Sequence, residues 1–403
     1  MSNKFGLFIH WGLYSLLGLH EQCLARFSLD KKEYSELKNQ FNPVKYNPEE
    51  WVLMAKKAGM EYICFTAKHH DGFCLWDTKY TDYNVMNTPY GKDVLKMLAD
   101  ACHKHGVKLS IYYSNPDWYR EDAFNPLSTH QWAAIIKDNG DLAHYREFVK
   151  NQISELMSNY GEIYSLFWDI PPHIEDKSIN ELVRKLQPNI FINDRGFDTG
   201  DFSTPERDFD GDVNNARFER MTESCNSIGE CAWGYRVNED FYSLRALTGN
   251  IDKVMAMGGS YLLNVGPKGD GSIPEESYKM MDKISDWYNR MDGCLVDHET
   301  DYFDYEVQKG KKCIVTIKNG KRYFHFFDGL PSTGVFLYKY PNMPKSVVLV
   351  NNKQKLDVEI RKHPKFRDEV GPVGEFYQVD VLHIYNIPVD DFSNEPIIIE
   401  IEW

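Results

Sequence analysis

The feature that most narrows the fold is a succession of short apolar runs between residues 5 and 265, separated mostly by helix-like stretches. The runs are Phe5–Ile9, Glu61–Thr66, Val107–Tyr113, Tyr164–Ile170, Asn189–Asn193, a short segment reaching Trp233-Gly234-Tyr235, and Ser260–Val265. Aromatic and β-branched residues dominate them, as in strands buried on both faces. Helix patterns follow at 48–57, 93–105, 142–160, 179–187, 241–257 and 274–290. Pro48 is tolerated in a first turn, while Gly59 and Gly106 act as stops. Alternation of this kind demands a parallel sheet with right-handed crossovers. Polar and aromatic clusters fall just after the strands, which predicts an α/β fold of the (β/α)8-like, TIM-type barrel kind with its chemistry at the strand ends. Seven runs leave one crossover degenerate or one strand hidden. Residues 13–46 read as a long irregular loop.

From about residue 297 the pattern changes. Cys313–Ile317, the turn Asn319-Gly320 and Tyr323–Phe327 form a hairpin, followed by strand-like runs at 347–350, 355–360, 376–384 and 397–403 without a helix among them. The expected division is a barrel domain over 1–296 and an antiparallel β-sandwich over 297–403.

Charge removes whole classes of partner. With 46 basic against 60 acidic residues the chain carries a formal -14, which argues against nucleic acid and anionic membrane surfaces. A neutral ligand suits it, and 14% aromatic content supplies flat apolar faces. The eight cysteines contain no CxxC pair, so zinc and redox-motif readings are weak. Met1-Ser2-Asn3-Lys4 runs directly into the first strand pattern, which leaves no room for a signal peptide. No apolar stretch approaches the roughly 20 residues of a membrane span. The expectation is a cytoplasmic protein.

Asp169 ends a buried run, where an acid is a catalytic candidate as well as a plain loop or capping residue. Glycoside cleavage needs two carboxyl groups flanking the scissile bond. Glu206, behind Thr204-Pro205, is one second candidate, and Glu223 competes with it. Arg195 suits fixing an acid or a sugar hydroxyl, or a structural ion pair. His69 and His70, if on a strand, would point to opposite sides and could not share a metal. Just past a strand end both can reach one ligand, and His10 adds a third imidazole on the same rim. Together with Trp11, Trp76, Trp168 and Trp233 they suit a polyol pocket, with rings against C–H faces and imidazoles bonding hydroxyls.

The segments FGLFIHWGLYS, AKHHDGFCLWDTKYTDYNV, KLSIYYS, NDRG, GDFSTPE, AWGY and GGSYLLNVGPKGDGSIP carry a resemblance. Over nearly all of residues 4–291 the chain resembles the α-L-fucosidases of glycoside hydrolase family 29. The resemblance implies a barrel with a β-sandwich behind it and no metal or organic cofactor. It implies retaining, exo-acting hydrolysis of terminal α-L-fucosyl residues from oligosaccharides or glycoconjugates through a covalent fucosyl-enzyme. It places the nucleophile on Asp169 and the acid/base on Glu206, with Glu223 as rival. The sugar-binding imidazoles fall on His10, His69 and His70, and the hydroxyl-binding tyrosine on Tyr112, or Tyr113 if the register slips by one. Arg195 matches the family arginine and Glu21 a sugar-contacting glutamate. Trp233, with Trp168 as a second wall, matches the aromatic surface beside the C5 methyl. Two departures stand out. Phe167-Trp168-Asp169-Ile170 replaces the frequent Trp-Phe-Asp-Gly, and Gln22 follows Glu21 where many relatives have Trp. A catalytically inactive fucose-binding barrel and a glycosidase for a related hexose are the alternatives.

Overall fold

The structure, a computed structural model, describes residues 4–123, 142–171, 176–207, 217–291, 293–308, 310–366 and 376–403. Seven parallel strands make one sheet: β1 (Phe5–Ile9), β2 (Tyr62–Lys68), β3 (Lys108–Ser114), β4 (Ile163–Asp169), β5 (Phe191–Ile192), β6 (Glu223–Ser227) and β7 (Ser260–Val265). Their order is β5-β4-β3-β2-β1-β7-β6, the neighbour-to-neighbour winding that strand–helix alternation predicts. One strand was misplaced by sequence. The segment near Trp233 is a loop, and the strand before it begins at Glu223, its polar composition Glu-Ser-Cys-Asn-Ser hiding it from a hydrophobicity pattern.

The sheet is not a closed barrel of eight regular strands, because β5 and β6 are its two edges. The stretch Phe202–Glu206 lies between them, held by the parallel bridges Asn193↔Phe202, Ser203↔Thr222 and Glu206↔Cys225. Pro205, with no N–H to donate, falls just before the last of these bridges and keeps the pairing from becoming a ladder.

The crossover helices begin where the sequence supplies caps. The Asn47 side chain accepts from the Glu50 amide ahead of Pro48–Lys57, and Asp93 accepts from the Lys96 amide ahead of Val94–His105. Gly106, at φ +68°, ends the second. Residues 13–46 are not irregular as expected. They hold the helical turns Tyr14–Leu17, Cys23–Arg26, Lys31–Ser35 and Glu36–Gln40, each too short for a 3.6-residue period to show. Among the described residues no helix is long and apolar enough to cross a membrane.

By compactness the chain divides into two units. As far as they are described, the first comprises residues up to 207, 220–242 and 260–282, and the second comprises 217–219, 243–259 and 283 onward. The helix Leu244–Ala256 therefore groups with the second unit, although it precedes residue 297. Inside the first unit Phe8, Tyr62, Cys64, Tyr112, Tyr164, Phe167, Cys225 and Leu262 pack as one cluster between the strands.

The second unit holds two antiparallel sheets. One runs in the order Gln354–Lys355, Ser346–Leu349, Ile397–Glu402, Lys321–Phe326, Ile314–Lys318, Glu299–Thr300; the other is Val335–Leu337, Phe376–Tyr385, Asp357–Phe366. Phe324 and Ile399 from the first meet Leu337 and Leu382 from the second in a common core. Asn319 and Gly320 both have positive φ, 53° and 78°, as the predicted tight hairpin requires.

Candidate active site

Four strand ends and the bridging stretch contribute polar side chains to the same rim. His10 follows β1, His69 and His70 follow β2, Asp169 ends β4, Arg195 follows β5, and Glu206 ends the bridging stretch. A pocket there is lined by Phe8, His10, Glu21, Gln22, His69, His70, Tyr112, Phe167, Asp169, Glu206, Cys225 and Trp233. Apart from Glu223 and Arg195, every primary site residue expected from sequence faces this pocket, and Arg195 is bonded to two of its lining carboxylates.

Asp169 is gripped on both oxygens. Oδ1 accepts from Arg195 Nη1 at 3.0 Å and from the Ile170 amide at 2.9 Å, while Tyr112 donates its hydroxyl to Oδ2 at 2.6 Å. His70 Nε2 stands 3.6 Å from the same Oδ2. Burial works to raise the Asp169 carboxyl, but the charges of His70 and Arg195 and these hydrogen bonds outweigh it and hold it below the usual aspartate range. An ionised carboxylate is the consequence.

Arg195 ties the two carboxylates together. Its Nη1 donates to Asp169 Oδ1 and also to Glu206 Oε1, and its Nη2 donates to the Thr204 carbonyl. Two carboxylate oxygens on one nitrogen lie within two hydrogen-bond lengths of each other. That is an upper limit, and it admits the roughly 5–5.5 Å separation of a retaining pair.

The three imidazoles are held by different devices. His10 Nδ1 lies 2.7 Å from Asn264 Oδ1; the Asn264 amide nitrogen donates to Ser227 Oγ and to the Trp233 carbonyl, so Asn264 Oδ1 accepts and His10 Nδ1 carries the proton. Burial lowers the His10 pKa and leaves Nε2 as an acceptor. His69 is pushed well down by burial and by the neighbouring imidazoles. It is neutral, and its Nδ1 has no hydrogen-bond partner. His70 Nδ1 meets Ser114 Oγ at 2.7 Å, and the Ser114 hydroxyl donates a hydrogen bond to the Pro116 carbonyl. The β2 register shifts between Thr66 and Lys68, and the chain then turns, so His69 and His70 present their rings to one pocket with centroids 4.0 Å apart. Gly72 completes the turn at φ +81°, where a Cβ would come within 2.2 Å of Asp117 Oδ1. Among the described residues no group of three or more His, Cys, Asp or Glu has the geometry to hold a metal ion.

Glu21 arrives from the helical turns after β1. Its Oε2 accepts from the Trp233 and Gly234 amides at 2.9 and 3.1 Å, fixing the loop that carries the Trp233 ring, and its buried Oε1 accepts nothing. A buried acceptor left open in the pocket, 3.3 Å from His20 Nδ1, marks where a donor-rich ligand belongs.

Several expectations need correcting. Tyr112 is the pocket tyrosine; Tyr113 points to the other face and bonds Gln152. By the same alternation Phe167 lines the pocket and Trp168 does not, its Nε1 donating to Asn180. Trp11 and Trp76 are core residues, the first packed on Phe41, Tyr46 and Trp51, the second donating to Glu155. Only Trp233 of the four expected rings lines the pocket. Phe8 and Phe167 were missed as pocket residues because they read as ordinary strand residues, and Cys225 because its polar strand was not read as one. Asn264 and Ser114 were missed as supports, although both stand inside quoted motifs.

Glu223 opens β6, at the end of the sheet away from the rim, and accepts from the Tyr62 hydroxyl at 2.6 Å. Burial pushes its carboxyl up to about 7, with the Tyr62 bond pulling the other way. The folded protein thus keeps a proton that the unfolded chain releases at an ordinary glutamate value. This contribution is complete below that value and is lost as pH rises through about 7. Glu223→Gln, which does not titrate, is expected to gain about 3 kcal/mol on the native protein between pH 4.5 and pH 8. Urea unfolding at the two pH values measures it; a gap that stays constant contradicts the assignment.

Comparison with known proteins gives the chain a family. A family model described as Alpha-L-fucosidase matches residues 1–292. The tissue alpha-L-fucosidase of Rattus norvegicus is 25% identical over 305 residues, 67% of this chain and 63% of that protein. Alpha-L-fucosidase 1 of Arabidopsis thaliana is 28% identical over 289 residues, 62% of this chain and 53% of that protein. The chain thus spans somewhat over half the length of these curated relatives. The structure of alpha-L-fucosidase isoenzyme 1 from Paenibacillus thiaminolyticus is similar with a TM-score of 0.82 and 27% identity, covering 100% of this chain and 97% of that one. A trapped covalent intermediate of a family 29 alpha-L-fucosidase from Bacteroides thetaiotaomicron, in complex with 2-fluoro-fucosyl fluoride, gives 0.79 at 25% identity, with coverages of 100% and 94%.

Proposed function

Because the chain belongs to the α-L-fucosidase family, we propose that it is a retaining exo-α-L-fucosidase acting on terminal fucosyl residues of oligosaccharides or glycoconjugates. The observation that carries this reading is the single Arg195 nitrogen shared by Asp169 and Glu206 at the mouth of a pocket with three imidazoles. Asp169 attacks the anomeric carbon while Glu206 protonates the departing oxygen. Glu206 then takes a proton from the water that releases fucose. Glu206 must exchange its bond to Arg195 for a proton before it can act as an acid. Asp169 keeps Arg195, Tyr112 and the Ile170 amide until it attacks, which holds it ionised for that step.

The sugar hydroxyls meet His10 Nε2, His69, Glu21 Oε1 and Tyr112, with Trp233 beside the C5 methyl. In this reading Phe202–Glu206 supplies the missing stave of a (β/α)8-like barrel, residues 1–296 serve as the catalytic part, and residues 297–403 form a β-sandwich.

The test is turnover of an aryl α-L-fucoside against the α-L-galactoside, which adds one hydroxyl at C6. Against the Trp233 wall that hydroxyl has no partner, at a cost of about 1–3 kcal/mol, or roughly 5- to 150-fold in kcat/KM. Equal turnover of the pair refutes the methyl-binding role, and hydrolysis of neither refutes the enzyme.

A further inference from the structure

A groove of about 480 Å3 adjoins the pocket and shares Glu21, Gln22, Glu206 and Trp233 with it. If Glu206 protonates the departing oxygen, as proposed above, the groove that continues past it is where the leaving group lies. The inference rests on that reading.

Charge distinguishes this groove. Arg207, the residue after Glu206, holds its guanidinium 5.1 Å from the Trp233 ring centroid. Its Nη1 donates to the Glu230 carbonyl and, at 3.4 Å, to the Tyr242 hydroxyl, both uncharged acceptors. Among the described residues Arg207 has no ion pair with a carboxylate; Glu206 pairs with Arg195, and Glu239 with Arg236. Gln22, standing where the resemblance leads one to expect Trp, accepts from Arg26 Nε at 2.7 Å and so brings a second guanidinium to the same groove. Most carboxylate oxygens nearby are engaged or wet, the buried Glu21 Oε1 being the exception. Glu21 Oε2 is taken by two backbone amides, Glu206 by Arg195, and Glu230 is exposed. His20 reports the local balance. Burial and the charges of Arg26, Arg207 and Arg236 push it down to about 4, in a chain whose formal charge is -14.

We propose that the groove receives the sugar next to fucose and selects one bearing an anionic oxyacid group, a carboxylate or a sulfate ester, with Arg207 as the recognising residue. A guanidinium offers a planar fork of donors that matches both groups. Its Nη1 is anchored, its backbone is fixed in the left-handed region at φ +57°, and the remaining donors are available to a ligand. A neutral sugar offers it no opposite charge.

The test uses fucosyl disaccharides whose second sugar is galactose, galacturonic acid or galactose 6-sulfate, each in the α1,2, α1,3 and α1,4 linkages. For at least one linkage the anionic substrate is expected to exceed the neutral one about 10-fold in kcat/KM at low salt. The gain should lie in KM and shrink as ionic strength rises. The galacturonate and sulfate arms tell which anion is selected. Arg207→Gln should bring the anionic-to-neutral ratio close to one, and Arg207→Lys, which keeps the charge without the fork, should leave an intermediate ratio. The wild-type ratio and its salt dependence decide the matter even if a variant does not fold. Equal or better use of the neutral disaccharide in every linkage, with 4-nitrophenyl α-L-fucoside still hydrolysed, overturns the proposal alone. So does an unchanged ratio in Arg207→Gln. If the aryl fucoside is itself inert, the fucosidase reading fails and takes this one with it.

Discussion

Asp169→Ala is expected to lower kcat on every α-L-fucoside by about 10⁴-fold or more, whatever the leaving group. The variant lacks the attacking oxygen, and nothing nearby can replace it. The Tyr112 hydroxyl is far too weak a nucleophile at neutral pH, and Glu206 is drawn to Arg195. Leaving-group activation should not help, since bond breaking still lacks its partner on the other face. Azide should restore slow turnover from the vacated position and give a fucosyl azide of inverted configuration, readable by NMR. Substantial turnover of a dinitrophenyl fucoside by Asp169→Ala without azide would remove Asp169 from the nucleophile role.

Glu206→Ala should behave differently because it removes only proton transfer. Unactivated fucosides are expected to slow by about 10²–10⁴-fold. A dinitrophenyl fucoside needs little protonation and should still form the covalent intermediate, which then accumulates because water lacks its base. A burst in leaving-group release and a mass increase on the intact protein detect it. Azide needs no deprotonation and should release the sugar with retained configuration. The opposite stereochemistry to that of Asp169→Ala makes the two experiments controls for each other. Glu223→Ala should show neither accumulation nor rescue, since that carboxyl accepts from Tyr62 at the other end of the sheet. If it shows both while Glu206→Ala keeps its activity on unactivated fucosides, the acid/base is Glu223.

Much of this site was legible because a strand end is a legible place. Asp169, His10, His69, His70 and Arg195 each follow or end an apolar run, and position alone made them candidates. Family motifs added Glu21 and Tyr112, which no periodicity marks. What stayed hidden has a common cause. Strand β6 is polar on paper because Glu223 and Asn226 are satisfied by hydrogen bonds within the fold, and a hydrophobicity pattern cannot see a partner. The inward and outward faces of β4 were undetermined as well. Phe167 and Trp168 are equally apolar, and only the parity fixed by Asp169 pointing inward sends Phe167 to the pocket and Trp168 to Asn180. The four tryptophans looked alike in sequence, yet three are core.

Both carboxylates are followed by an L-residue at φ +57°, Ile170 after Asp169 and Arg207 after Glu206. For the β-branched Ile170 that conformation costs roughly 1–2 kcal/mol, and glycine would occupy it freely. Selection in the laboratory for heat tolerance alone would therefore press on these two positions. At Ile170 it would meet resistance, because the side chain is buried and its loss as glycine costs about as much as the strain relieved. At Arg207 it would meet none from packing against a core. The protein that emerged would be sturdier and would still cleave simple aryl fucosides, but it would have lost the guanidinium that faces the leaving group. A screen with a neutral chromogenic substrate would not register the change, whereas a fucosyl disaccharide with an anionic second sugar would.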